Sequence, residues 1–143
     1  MGVMTLTDVG AMDFLSRITN GVLPTGGGGM TLHLFTNDVT PTDASVVSDF
    51  FEANAVGYAA QPLVYGAWVV YNDAGIATSK STARAFTFGG ELVGATHIYG
   101  SYILNAQGLL VGAGKLTTPQ AITTEGAVVS VTPKIRMSKG TVL

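Results

Sequence analysis

Between residues 30 and 137 the chain is a succession of short β-branched and aromatic runs, each closed by a turn signal, and that punctuation permits few folds. Met30, Leu32 and Leu34 alternate with Thr31, His33 and Phe35, the period-two signature of a strand. A second run, residues 63–71 around Trp68, meets Asn72-Asp73-Ala74-Gly75, which reads as a hairpin loop into residues 76–79. Residues 83–88 form the next strand, ended by Gly89-Gly90. Residues 97–104 and 109–116 flank Asn105-Ala106-Gln107-Gly108, a second hairpin signal. Residues 127–131 and 135–137 close the series, with Pro133 between them pointing to an edge strand or a bulge. Residues 37–43, with Pro41 inside, make a turn-rich loop, and residues 46–53 fit a short strand or a helical turn equally well. Seven or eight short strands at this spacing predict an antiparallel sandwich rather than a parallel α/β sheet.

The first segment differs. Residues 5–20 predict a helix capped by Thr5 or Thr7, with Asp8 near its positive end. Met12, Phe14, Leu15 and Ile18 form its apolar stripe with Ala11, and Asn20-Gly21 ends it. Pro24-Thr25 and the run Gly26-Gly27-Gly28-Gly29 follow as a flexible link. The expected organisation is a helix and Gly-rich linker over residues 1–29 and a β-sandwich over residues 30–143. The fold class is thus mainly β: an antiparallel, jelly-roll-like sandwich with a short N-terminal helical arm. Met12, Phe14, Leu15 and Ile18 are the candidate assembly residues of that arm.

Composition narrows the function. Charged residues are 11% of 143 while hydrophobic ones are 47%, against roughly 25% charged in an average soluble domain. That balance excludes disorder and disfavours a freely soluble monomer, so the domain is expected to hide surface against copies or partners. No apolar run reaches the ~18 residues of a membrane span. A net charge of −2 argues against nucleic acid as a partner. The N-terminus shows no signal-peptide pattern, and Leu6 stands where a myristoylation motif needs Ser or Thr. Residues 1–73 carry seven acids and one base, and residues 74–143 two acids and six bases, net charges of −6 and +4. Such asymmetry fits either faces that dock between subunits or halves that interleave and neutralise each other.

No pattern of catalysis or cofactor binding stands out. The chain has no cysteine, hence no disulfide or thiolate chemistry. Gly112-Ala113-Gly114-Lys115-Leu116 lacks the first glycine of a phosphate loop and the Ser or Thr after its lysine, so a strand of small residues is the better account. The glycine run at 26–29 has no following lysine and precedes a strand. His33 and His97 both fall in predicted strands; a metal site would pair them with Asp38 or Glu91, without supporting ligand spacing. There is no Gly-x-Ser-x-Gly elbow around Ser101. Tyr58, Tyr65, Trp68, Tyr71, Tyr99 and Tyr102 are the aromatics available to a sugar-binding platform, but strand parity puts Trp68 opposite Tyr65 and Tyr71. No enzyme activity, metal or cofactor is expected.

Leu32-His33-Leu34-Phe35-Thr36-Asn37-Asp38-Val39-Thr40-Pro41-Thr42, continued by Phe50-Phe51-Glu52-Ala53, Gly57-Tyr58-Ala59 and Ala67-Trp68, carries a resemblance. With Val129-Ser130-Val131-Thr132-Pro133 near the end, the chain resembles a family of small virion structural proteins of tailed bacteriophages. The likeness runs from about Thr5 to Arg136 and leaves out the glycine run at 26–29 and the tail from Met137 to Leu143. It implies a capsid decoration, or cement, protein that binds between major capsid subunits and stabilises the head. It further implies a homotrimer on the capsid surface, made in the bacterial host cytoplasm. The alternatives are a tail, baseplate or fibre-associated structural protein and, in a different class, a carbohydrate-binding β module.

Overall fold

The computed structural model describes residues 3–20, 29–63 and 67–137, with Ser16, Arg17, Ile18 and Asn20 given by their backbone alone. Tyr65, most of the expected linker and the tail after Met137 lie outside the described residues. The elements run β1 (Thr5–Leu6), α1 (Asp8–Asn20), β2 (Met30–Phe35), β3 (Gln61–Leu63), β4 (Trp68–Asp73), β5 (Ile76–Ser81), β6 (Arg84–Thr87), β7 (His97–Leu104), β8 (Leu110–Ala121), β9 (Val128–Val131) and β10 (Lys134–Met137). They form a five-stranded sheet of order β1-β8-β7-β2-β3, a three-stranded sheet β10-β5-β4 and the pair β6-β9. Every ladder is antiparallel.

Alternation sends Leu32 and Leu34 of β2 into one interior with Ile103, Val111, Phe86, Val129, Val131 and Ile135. These residues come from all three sheets, so the sheets close over a shared core. The chain is the mainly β, antiparallel, sandwich-like fold that the alternation predicts. Burying each such side chain contributes about 1.5–3 kcal/mol. The reverse face of the five-stranded sheet holds a smaller cluster of Phe35, Phe50, Tyr102, Leu110 and Ala113. An irregularity in the β7–β8 register between Ile98 and Gly100 lets Ile98 and Ile103, five residues apart, both reach the main core. Gly100 itself has no room for a side chain: a Cβ there would stand 2.5 Å from the Phe35 ring.

Four segments depart from expectation, the first being the run at residues 63–71, which divides between β3 of the five-stranded sheet and β4 of the three-stranded one. The helix begins at Asp8, and Thr5–Leu6 is a strand on the edge of β8, pairing Thr5 with Ala113 and Leu6 with Gly112. Two residues are too few to show a period, and only the partner strand makes them one. Strand β8 continues past Pro119 to Ala121, because the same register shift accommodates a residue without an N–H. Within residues 46–53 both readings have a share: a 3₁₀ turn at Val47–Asp49, then extended chain in which Glu52 bridges to Phe35.

The N-terminal segment is seated on the sheet. Met4 is 2% exposed within the main core, and its N–H donates to Lys134 O at 2.8 Å. Thr7 caps α1: Gly10 N donates to its Oγ1 at 3.0 Å, and the buried hydroxyl donates to the Leu110 carbonyl. The helix then lies so close to β8 that a Cβ on Gly10 would fall 2.3 Å from Val111 O.

Candidate functional site

Strand parity puts Thr31 and His33 on the reverse face of β2, beside Phe35. His33 Nδ1 lies 2.6 Å from Glu52 Oε1 and Nε2 lies 2.8 Å from Thr31 Oγ1. An ionised carboxylate only accepts, so Nδ1 carries a proton; in the neutral ring Nε2 then accepts from the Thr31 hydroxyl. The order hydroxyl, imidazole, carboxylate is that of a nucleophilic triad. Its surroundings serve another purpose. Glu52 Oε1 also accepts from Tyr58 Oη at 3.2 Å, and that oxygen accepts the Leu34 N–H at 3.0 Å. The imidazole stacks on Tyr102, with centroids 4.9 Å apart. The cluster therefore fastens residues 50–58 to β2. Burial raises the Tyr58 phenol well above its usual range, with the Leu34 amide opposing and Glu52 adding. Burial and then Glu52 raise Tyr102 likewise.

The acids expected beside the histidines lie elsewhere. Asp38 pairs with Lys115, and Glu91 is exposed on a loop. Glu52, which sequence spacing does not single out, is the partner of His33. His97 Nδ1 meets Thr96 Oγ1 at 2.8 Å. Among the described residues no three ligating side chains gather at a common point. The Gly112-Ala113-Gly114-Lys115 stretch lies in β8, where Gly112 and Gly114 let Met4 and Thr5 approach. Of the aromatics among the described residues, Tyr102 is buried, Tyr58, Trp68, Tyr71 and Tyr99 are half-buried, and the open ring is Phe51, at 64%.

The four candidate residues of the helix divide. Phe14 stands one turn beyond Gly10 and packs against the main core. Met12 and Leu15, three apart, share the outward side and are 62% and 55% exposed. The side chain of Ile18 lies outside the described residues.

Beneath Phe14 opens an apolar cavity of about 360 Å³, lined also by Met30, Trp68, Val70, Ile135 and Met137. The ladder registers explain it: Trp68, Val70, Ala77, Ile135 and Met137 share one face of the three-stranded sheet. None of the His33 cluster reaches this groove or the second cavity between β1 and β10.

Comparison of the chain with protein-family models, curated proteins and solved structures finds no match. Among the described residues no helix is long and apolar enough to cross a membrane.

Proposed function

We propose that the chain is a virion structural protein of a tailed bacteriophage, a decoration protein that binds between major capsid subunits and stabilises the head. The family motifs in residues 32–59 and 129–133 suggest the class. The observation that carries the reading is the placement of apolar side chains: Met12 and Leu15 stand outward on a helix that Gly10, Thr7 and Phe14 hold against the sheet. A ridge presented on a rigid mount loses little entropy when it docks. By binding the assembled shell in preference to free subunits, such a protein shifts the equilibrium toward the shell. The clustered polar groups at His33 have a structural task, which leaves association rather than turnover as the activity supported.

Quantitative mass spectrometry of purified particles tests this reading through the copy number relative to the major capsid protein. Hundreds of copies are expected. A few dozen or fewer would move the chain to the tail or a vertex, and none would remove the virion assignment. In the same particles, Met12→Lys with Leu15→Lys should strip the protein from the shell while its unfolding free energy stays within about 0.5 kcal/mol of the parent per substitution.

A further inference from the structure

Strand β4 is the outer strand of its sheet, with β5 on one side and no partner on the other among the described residues. The ladder tells which of its backbone groups face outward. Ser81 N donates to Pro133 O at 3.0 Å, on the β10 side of β5. In an antiparallel ladder each residue's N–H and C=O point the same way and neighbours alternate. Ile76, Thr78 and Lys80 therefore address β4, and their partners Asp73, Tyr71 and Val69 face back toward them. The two-residue turn at Ala74-Gly75, with φ of 51° and 87°, closes the hairpin on the Asp73–Ile76 pair and agrees with this parity. Trp68, Val70 and Asn72 are left with their N–H and C=O groups directed away from the sheet.

This edge lacks the usual guards. It has no proline, glycine or bulge, and its one charge, Asp73, is held by Arg136. Val69 and Val70 are 61% and 74% exposed.

We propose that β4 pairs antiparallel with β4 of a second copy of this chain, about a twofold axis at Val70, joining two three-stranded sheets into one of six strands. Register and charge select this occupant. The three outward residues are symmetric about Val70, so this axis matches Val70 with Val70 and Trp68 with Asn72 of the second copy. All three pairs exchange two bonds, about six in total. Moving the axis to Val69 or Tyr71 leaves Asn72 or Trp68 unmatched. On the opposite face Val69 meets Tyr71 of the second copy, a favourable β-branched and aromatic pair. No like charges are brought opposite each other, since Asp73 lies beyond the paired residues and already has its cation. The Val70 side chains come together on the grooved face, making the two apolar grooves continuous. Such an interface is isologous and closes at two copies. It does not depend on the virion assignment.

The chain contains no cysteine, which makes the register directly testable. Residues in a hydrogen-bonded pair stand about 5.5 Å apart at Cα, within disulfide reach. Val70→Cys should crosslink to itself under mild oxidation, to twice the 14.7 kDa chain mass. Asn72→Cys, about 14 Å from its own copy in this register, should not. The full wild-type chain should sediment as a dimer, and Val70→Lys, folded by circular dichroism, as a monomer. A monomeric wild type, a trimer as the family resemblance implies, or equal crosslinking at 70 and 72 would overturn the proposal. So would a folded Val70→Lys that remains dimeric; if that variant does not fold, the cysteine pair decides.

Discussion

Replacing Gly10 by alanine sets two effects of opposite sign against each other. In an exposed helix interior the change stabilises by about 1 kcal/mol, because glycine has the greater backbone freedom to lose. Here the added Cβ would lie 2.3 Å from Val111 O, 2.8 Å from its Cα and 2.9 Å from its carbonyl carbon. All three are backbone atoms of a strand paired on both sides, so the neighbour cannot turn aside. Restoring a contact of 3.4 Å needs a lift of about 1 Å. That displacement forfeits a quarter to a half of each lost packing contact. It also stretches the Thr7 N–H bond to Val111 O, now 3.0 Å, and the Thr7 hydroxyl bond to Leu110 O. Two weakened hydrogen bonds at about 1 kcal/mol each, with overpacking of about 1–3 kcal/mol, exceed the propensity gain. Gly10→Ala should therefore destabilise by about 1–3 kcal/mol. Urea unfolding followed by Trp68 fluorescence would show a lower midpoint at unchanged slope. Met12→Ala, on the outward side, should stay within about 0.5 kcal/mol. A neutral or stabilised Gly10→Ala would mean that the helix is a free arm, and the seat described here would be wrong.

Two further substitutions address the reverse face. Burial raises Tyr58 and Tyr102 in the fold, so the folded chain keeps protons that the unfolded chain releases from about pH 10 upward. Stability is full below that pH and falls as pH rises through it, by up to about 1.4 kcal/mol per pH unit for each phenol. Tyr102→Phe should remove one phenol's share of that slope between pH 9 and 11 in denaturant titrations, and an unchanged slope would refute the burial argument. Glu52→Ala strands His33 Nδ1 and Tyr58 Oη without their acceptor. Water reaches this half-exposed position, so the expected loss is about 1–2 kcal/mol, with faster amide exchange at Thr36 and Ala53, whose bonds tie the segment to β2. Unaltered exchange there would show that the cluster does not hold the segment.

What the sequence discloses depends on how local the determinant is. The hairpins at residues 72–75 and 105–108 are legible because turn chemistry acts over four residues, β2 because alternation acts over six, and β7 only through the turn that follows it. Glu52 as the partner of His33 was not legible. The chain must pass through the loop at Asn37, the 3₁₀ turn at Val47–Asp49 and the bridge at Phe35 before the carboxylate arrives. A signal exists in Phe50-Phe51-Glu52, where one ring is 5% exposed and the next 64%, a strand-like alternation hidden by its shortness. The apolar stripe of the helix is legible as apolar, but not which of its residues face outward. One residue of it, Phe14, turns inward with Gly10 because 3.6-residue geometry places i and i+4 together.

The charge asymmetry between the halves acquires a physical meaning from the same topology. Strands from early and late in the chain lie side by side, and two ion pairs each join an early acid to a late base: Asp38 with Lys115 and Asp73 with Arg136. These pairs are partly exposed and contribute little stability, at most about 1 kcal/mol each. Their larger effect is on recognition. They offset two unit charges of each half within one molecule, and the net charge of −2 leaves a weak long-range field to steer a charged partner. Among the described residues the outside also offers a partner apolar side chains: Met12 and Leu15 on the helix, Val69 and Val70 on the outer strand β4. A chain with 11% charged residues cannot afford to leave such surface in water at high concentration. Weak steering together with exposed apolar side chains is the physical ground for proposing association by burial and backbone pairing rather than by long-range attraction.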